Sequence, residues 1–202
     1  MIAVVNYGMG NLGSVKNAFD YIGVDSYVTS DATQIADSKA LVLPGVGAFG
    51  DAMNNLRRHG LEEAVVKHIK SGKPFLGICL GLQMLFDSSA ESPGVKGLGV
   101  LEGTVEKFPS GMALKIPQIG WNSIKVKSEM PVLGSFNGSY FYFVHSYYAQ
   151  PDNLEPFAIK TEYGLEFTSA IEFKNILACQ FHPEKSGKTG LAVLKKWTDI
   201  YI

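Results

Sequence analysis

The chain has 202 residues, of which 46% are hydrophobic and 18% charged, so it is a globular protein with a sizeable core rather than a disordered chain. Lysine and arginine number 18 against 19 aspartate and glutamate, a net charge of -1, and the arginines occur only at Arg57 and Arg58. This balance excludes a general nucleic-acid binder and a site built from many arginine clamps. We therefore expect neutral small molecules or another protein as partners.

The cysteine content and the apolar stretches indicate the compartment. Cys79 and Cys179 are too few for a disulfide framework and suit a reducing environment. The first residues, MIAVVNYGMG, have no basic leader or cleavage pattern, and the most apolar stretch, 75–86, is too short to span about 30 Å of hydrocarbon. We expect a soluble, cytoplasmic protein with no membrane partner.

The first 90 residues alternate short apolar strands with helical patterns. Strands are predicted at 2–5, 26–29, 40–43 and 75–78, and helices at about 14–22, 51–57, 61–70 and 80–86. Strand, short turn and helix in repetition are typical of a parallel sheet with crossover helices.

After residue 92 the pattern changes to strands separated by glycine, proline and asparagine turns. Strands are predicted at 100–108, 123–126, 140–148, 157–163, 169–173 and 176–181, and a last amphipathic helix at about 189–200. Because no linker or repeat divides the chain, we expect a single α/β domain over residues 1–202. Its central, mostly parallel sheet should carry added antiparallel strands from the second half.

A glycine-rich turn follows the first strand. Gly8, Gly10 and Gly13 match the dinucleotide-binding pattern G-x-G-x-x-G, and Asp31 lies 18 residues further on, near the position of a ribose-binding acid. The same glycines also suit any tight turn that packs a helix closely on its strand. A nicotinamide or flavin enzyme is therefore one alternative, but the motifs that follow favour different chemistry.

Gly77-Ile-Cys79-Leu-Gly81 joins the fourth predicted strand to a helix and is the cysteine version of the G-x-S-x-G nucleophile elbow. A helix N-terminus favours a thiolate, because free N–H groups and the helix dipole stabilise negative charge. A buried structural cysteine would need no such glycines. The sequence therefore predicts that Cys79 is a nucleophile.

A cysteine nucleophile needs a base, and His182 is the best candidate. The other three histidines have ordinary explanations at a helix end, on a helix face and inside an aromatic strand (His59, His68 and His145). His182 ends a strand and is followed by Pro183, which stops strands, and by Glu184, which can orient the ring. Nucleophile, base and orienting carboxylate are the members of a catalytic triad.

Cys179 and the segment after the third predicted strand have different predicted roles. Strand alternation turns Cys179 away from His182, toward the core, and neither cysteine has a partner at metal-ligand spacing, so we expect no zinc site. Pro44-Gly-Val-Gly47 follows the third strand. Its backbone N–H groups, together with that of Leu80, could form an oxyanion hole.

The elbow with Gln83, and the His-Pro-Glu sequence about 100 residues later, resemble the class I (triad) glutamine amidotransferases. The similarity extends over essentially the whole chain. Within this class, further motifs resemble the family of glutaminase subunits of imidazole glycerol phosphate synthase. This resemblance is carried by NYGMGNL at 6–12, PGVG at 44–47, PQIGWN at 117–122, YFVHSY at 142–147 and HPEKS at 182–186. The resemblance implies a three-layer fold with helices on both faces of the sheet.

What the resemblance implies about activity is specific. Glutamine would be hydrolysed to glutamate and ammonia through a thioester. A (β/α)8-barrel cyclase, bound as a heterodimer, would use the ammonia to make imidazole glycerol phosphate and the aminoimidazole carboxamide ribotide AICAR in histidine biosynthesis. No cofactor is implied.

Residue by residue, the family pattern assigns roles to four groups. The implied catalytic residues are Cys79, His182 and Glu184, and the implied oxyanion donors are Val46 and Leu80. The implied substrate-binding residues are Gly47, Gln83, Glu91, Ser146 and Tyr147. The residues implied at the partner interface are Asn11, Trp121, Tyr142 and Lys185.

Elementary chemistry also favours a partner. Ammonia is largely protonated near neutral pH, so a glutaminase is useful when its product passes directly to an acceptor, and two arginines are too few to hold a sugar-phosphate acceptor on this chain. A free cysteine hydrolase and a non-catalytic binding subunit remain alternatives at this point.

Overall fold

The computed structural model describes residues 1–126 and 129–202. Its strands are β1 (Ile2–Val5), β2 (Ser26–Thr29), β3 (Ala40–Gly45), β4 (Phe75–Cys79), β5 (Ser88–Ser89), β6 (Gly103–Lys107), β7 (Gln118–Ser123), β8 (Tyr140–His145), β9 (Tyr147–Pro151), β10 (Ala158–Glu162), β11 (Glu166–Phe173) and β12 (Ile176–Cys179). Its α-helices are α1 (Leu12–Tyr21), α2 (Ala32–Asp37), α3 (Phe49–Arg58), α4 (Glu62–Lys70), α5 (Leu80–Gln83) and α6 (Gly187–Tyr201). Short 3₁₀ turns occupy Leu133–Phe136, Glu155–Phe157 and Pro183–Lys185.

The strands form one large sheet and one small one. The large sheet has ten strands in the order β2-β1-β3-β4-β12-β11-β9-β6-β5, with β10 attached to β11. The pairs from β2 to β12 are parallel. The pairs β12–β11, β11–β10, β11–β9 and β9–β6 are antiparallel, and the edge pair β6–β5 is parallel. Strands β7 and β8 form a separate antiparallel ribbon. The predicted mostly parallel sheet with added antiparallel strands is confirmed.

The large sheet is buried on both faces. Alternation along β1 sends Ala3 and Val5 into a core covered by α3 and α4, and Ile2 and Val4 into a second core covered by α1 and α6. Strands buried on both sides are continuously apolar, as β1 and β4 are. Helix, sheet and helix give the three layers that the resemblance implied. No helix among the described residues is long and apolar enough to cross a membrane.

The register of three neighbouring strands brings their carboxyl ends together. Gly45 of β3 pairs with Cys79 of β4, and Cys179 of β12 pairs with Ile78. The segments that follow these strands therefore leave the sheet at one edge, where parallel α/β sheets bind their ligands.

Three local predictions differ from the structure. The strand predicted at 140–148 is broken at Ser146: β8 lies in the small ribbon, while β9 joins the large sheet. The strand predicted at 123–126 is wrong, because the ribbon uses Gln118–Ser123 and only Lys125 beyond it makes an isolated bridge, to Lys160. The helix predicted at 80–86 ends at Gln83.

One helix was not predicted. The side chain of Asp31 accepts hydrogen bonds from the N–H groups of Thr33 and Gln34, at 2.7 and 3.4 Å, and begins α2. The helix has six residues and buries only Ile35, so its apolar pattern is too sparse to be recognised.

Candidate active site

Cys79 lies in a strained turn between β4 and α5. Its φ of 55° and ψ of -107° are unusual for a residue with a side chain. Both flanking glycines are required by close packing: a Cβ on Gly81 would overlap the Leu43 carbonyl oxygen, and one on Gly77 would lie 2.9 Å from the Gly81 oxygen. The predicted elbow geometry is therefore present, and it places Cys79, which is 7% exposed, at the edge of the sheet.

His182 and Glu184 form a buried pair beside Cys79. His182 Nδ1 lies 2.8 Å from Glu184 Oε1, and both side chains are 2% exposed. Since the carboxylate accepts the Nδ1 proton, the second ring nitrogen is free to exchange a proton with the sulfur. Nε2 has no partner with hydrogen-bond geometry among the described residues. The structure thus brings together the three residues that the sequence proposed as a triad.

The neighbours of His182 favour its protonated form. Burial lowers the pKa of His182, but interactions with Cys79 and with the Glu184 carboxylate raise it more strongly, to about 10. The raised pKa means that His182 holds its proton more readily than an ordinary imidazole. Burial and the charge of Cys79 raise the pKa of Tyr7 well above its ordinary value, so this neighbouring phenol stays neutral.

A cavity of about 400 Å³ opens in front of Cys79 and is within the size range of small-molecule sites. All five predicted substrate-binding residues line it, together with both predicted oxyanion donors. The lining also includes Pro117, Val144 and His145, which the sequence argument did not assign to the site. One carboxylate oxygen of Glu91 accepts the Phe49 N–H at 2.7 Å, which fixes its side chain at the start of α3.

The segment after β3 passes close to the elbow, as an oxyanion strand should. Gly47 has a φ of 93°, and Val46 is not among the described non-glycine residues with positive φ. The Tyr7 hydroxyl donates to the Pro44 carbonyl at 2.9 Å and would lie 2.7 Å from a Cβ on Gly45. Val46 and Leu80 are thus adjacent across the Gly45–Cys79 pair.

A polar contact to the sulfur was missed by the sequence argument. Gln180 is fully buried at the end of β12, and its Nε2 lies 3.5 Å from Cys79 Sγ. Gln83 Nε2 donates in turn to Gln180 Oε1 at 2.9 Å and to the Tyr147 carbonyl at 3.0 Å. Strand alternation already placed Gln180 on the same face as His182, which was the available signal.

The predicted partner residues lie on the surface near this edge. Trp121 is 56% exposed and pairs across the ribbon with Tyr142, with ring centroids 6.3 Å apart. Lys185 is exposed in the turn that α1 packs against, and Asn11 caps the start of α1 through the N–H of Ser14. Trp121 and Tyr142 are therefore in contact with each other, and Asn11 and Lys185 lie on two elements that pack together.

The cysteine and the three histidines that were not assigned to the triad have structural contacts. Cys179 is buried in the core with Leu177 and Phe181, and its thiol donates to the Gly77 carbonyl at 3.6 Å. His59 ends α3 and His68 is buried between the carbonyls of Ile35 and Pro74. His145 is buried as expected, although its ring also reaches the cavity wall.

The glycine-rich turn after β1 has a packing role. Gly10 has a φ of 105°, and a Cβ there would lie 3.4 Å from the Pro44 oxygen. Asp31, the acid that a dinucleotide site would need, is engaged as the cap of α2. The turn therefore packs against the end of β3, and Asp31 is occupied as a helix cap.

Comparison with known proteins identifies the family. The model of the family "Glutamine amidotransferase class-I" matches residues 3–198. The chain is 52% identical over 200 residues to "Imidazole glycerol phosphate synthase subunit HisH" of Methanothermobacter thermautotrophicus, covering 99% of this chain and 98% of the relative. It is 49% identical over 201 residues to the subunit of that name from Caldanaerobacter subterraneus, covering 99% and 98%.

Solved structures agree at the level of fold. A structure described as "Crystal structure of glutamine amidotransferase" aligns with a TM-score of 0.78 at 19% identity, covering 100% of this chain and 99% of that one. "Structure of PurLQS from Thermotoga maritima" aligns with a TM-score of 0.76 at 19% identity, covering 98% and 97%. The chain therefore belongs to the class I glutamine amidotransferase family, in the branch of the HisH subunits of imidazole glycerol phosphate synthase.

Proposed function

We propose that this protein hydrolyses glutamine to glutamate and ammonia, acting as one glutamine amidotransferase domain over residues 1–202. The observation that carries the proposal is the geometry at the sheet edge. His182 is held by Glu184 at 2.8 Å, leaves its Nε2 unpaired among the described residues, and faces a cysteine at a strained elbow. This arrangement suits nucleophilic attack on an amide.

In the first half-reaction the Cys79 thiolate attacks the side-chain amide carbon of glutamine. The carbonyl oxygen becomes an oxyanion, which the N–H groups of Val46 and Leu80 stabilise. Protonated His182 then gives its Nε2 proton to the amide nitrogen. The C–N bond breaks, ammonia leaves, and a thioester between Cys79 and the glutamyl group remains.

In the second half-reaction water replaces ammonia. Neutral His182 takes a proton from water through Nε2, and the hydroxide attacks the thioester carbon. The C–S bond breaks, glutamate leaves, and the thiolate–imidazolium pair is restored. Glu184 accepts the Nδ1 proton throughout as a hydrogen bond and stabilises the imidazolium without taking that proton.

The cavity explains how glutamine would be selected. Both N–H groups of Gln83 are used inside the protein, so its Oε1 is left to accept from the substrate ammonium group. The Glu91 oxygen that does not bind the Phe49 N–H adds negative charge to the same wall. Gly47, Ser146 and Tyr147 supply backbone and hydroxyl groups for the α-carboxylate end.

The ammonia would pass to a second chain, a (β/α)8-barrel cyclase bound as a heterodimer. The relatives named HisH are subunits of imidazole glycerol phosphate synthase, which supports this partner and a role in histidine biosynthesis. In that reaction the cyclase makes imidazole glycerol phosphate and AICAR. The exposed Trp121 and half-buried Tyr142, with Asn11 and Lys185, are proposed at the interface.

The decisive experiment separates the two reactions. Cys79→Ala in the complex should abolish glutamine-dependent synthesis and leave synthesis from added ammonium salt intact, because the cysteine is needed only for amide cleavage. The wild-type complex assayed with each nitrogen source is the control. Loss of both activities in an assembled complex would contradict the proposal, since this chain would then also act in the second reaction.

A further inference from the structure

A chain of buried amides leads to the nucleophilic sulfur. It runs from the Tyr147 carbonyl through Gln83 and Gln180 to Cys79 Sγ, with successive distances of 3.0, 2.9 and 3.5 Å. Gln83 and Gln180 are 97 residues apart in the sequence and are 4% and 0% exposed. Buried polar side chains with complete hydrogen bonds hold a fixed orientation.

The direction of each amide in this chain is fixed by its neighbour. A backbone carbonyl only accepts, so the Gln83 NH₂ group must face Tyr147. The second hydrogen of that NH₂ group points to Gln180, which must present its oxygen. The Gln180 NH₂ group is consequently turned toward the sulfur of Cys79 and acts as a donor.

We propose that Gln180 is a further catalytic residue, whose amide N–H stabilises the Cys79 thiolate, and that Gln83 is a positioning residue holding this amide in its donating orientation. The role of Gln180 rests on the proposed function, in which the thiolate is the attacking atom. A thiolate is a much better acceptor than a neutral thiol, so one N–H donor shifts the balance toward the reactive form.

The other side chains that interact with the Cys79 sulfur differ from Gln180 in charge and in hydrogen bonding. His182 supplies the positive charge. Tyr7, in the segment after β1, and Cys179, on β12, also interact with Cys79, but they carry no positive charge. The Glu184 carboxylate is hydrogen-bonded to His182. Among these described neighbours, Gln180 is the neutral side chain that donates an N–H to the sulfur.

The test is the pH profile of Cys79 alkylation by iodoacetamide, followed by peptide mass spectrometry to distinguish Cys79 from buried Cys179. Gln180→Met keeps an unbranched chain of similar size but removes the donor. We expect the midpoint of its alkylation profile to rise by about 1 to 2 pH units. Gln83→Met should shift the midpoint in the same direction by less, because the Gln180 amide then loses its orienting partner.

Ser169→Ala is the matched control, because this serine is fully buried on β11 and donates to the Ile159 carbonyl rather than to the site. Its profile should equal that of the wild type. An unshifted profile in folded Gln180→Met overturns the proposal, and an unshifted profile in Gln83→Met removes the role of Gln83. If Gln180→Met does not fold, an unshifted profile in Gln83→Met overturns the proposal as a whole, because the Gln180 amide has then lost its orienting partner without effect on the sulfur. Alkylation by iodoacetamide does not require glutamine hydrolysis. The alkylation profile therefore tests the role of Gln180 independently of whether the protein is a glutaminase.

Discussion

The backbone N–H of His182 donates to the backbone carbonyl of Tyr142 at 3.0 Å. The Ser186 hydroxyl reinforces this link by donating to the His182 carbonyl at 2.6 Å and accepting the Tyr142 N–H at 2.9 Å. The proposed base is therefore attached to β8 at Tyr142, the residue that pairs with Trp121 across the ribbon. A partner that contacts this ribbon would act directly on the position of the base.

Removing the bridging hydroxyl should test this link. Ser186→Ala leaves the partly buried Tyr142 N–H without its acceptor, so the free energy of unfolding should fall by about 1 kcal/mol. We expect kcat for glutamine hydrolysis to fall about tenfold with little change in KM, because His182 is displaced while the cavity wall is intact.

Ser38→Ala is a suitable comparison, since Ser38 is also buried and donates to a carbonyl, that of Ile35, away from the cavity. The Ser38→Ala variant should have a lower free energy of unfolding without a comparable loss of kcat. Denaturant unfolding and steady-state kinetics measure both. An unchanged kcat in Ser186→Ala would mean that this bridge does not position the base.

The two members of the histidine–glutamate pair should differ in importance. His182→Ala removes the group that moves protons, a contribution of about 10²–10⁴ in rate. Glu184→Gln keeps an oxygen that can accept from Nδ1 but loses the negative charge that helps to raise the pKa of His182. We expect a much smaller loss of glutaminase kcat in Glu184→Gln. Equal losses in two folded, assembled variants would give Glu184 a larger role than orientation.

The oxyanion segment predicts regulation by the partner. We expect the Gly45–Val46 peptide to turn over in the active form, so that the Val46 N–H faces the oxyanion. The β-branched Val46 resists positive φ, whereas Gly47 already has a φ of 93°. We expect low glutaminase activity in the isolated chain and a rise of about 10²–10³ with the ligand-loaded partner. Steady-state hydrolysis with and without that partner gives the ratio, and an equal kcat/KM in both would indicate a preorganised site.

His145 should make the stability depend on pH. Burial lowers its pKa from 6.5 to about 4, against the raising effect of the hydrogen bond to the Tyr147 carbonyl. Because the unfolded chain binds the proton more readily, the stabilisation is complete above pH 6.5 and is lost as the pH falls toward 4. The shift corresponds to a loss of about 3 kcal/mol.

The variant His145→Gln isolates this effect from the titration of carboxylates. The difference in unfolding free energy between wild type and variant should be constant above pH 7 and should shrink between pH 6.5 and 4. Urea unfolding at intervals of pH measures it. A difference that does not change with pH would show that His145 has no depressed pKa.

The sequence by itself determined the features that depend only on residues close together along the chain. The elbow around Cys79 was recognisable because the strained turn requires glycine on both sides, and the His182–Glu184 pair because two residues of separation bring the side chains together. The parallel half of the sheet followed from strands that are apolar throughout. In each case a short segment carries its own physical constraint.

Only the tertiary structure decided which distant segments meet. The pairing of Gly45 with Cys79 aligns the oxyanion segment, and the contact between Gln83 and Gln180 joins residues 97 positions apart. The break at Ser146, where the aromatic run leaves the ribbon for the large sheet, was likewise invisible, because both halves have the same strand-forming composition. Register and partner choice are set by packing against the rest of the fold, which no local pattern contains.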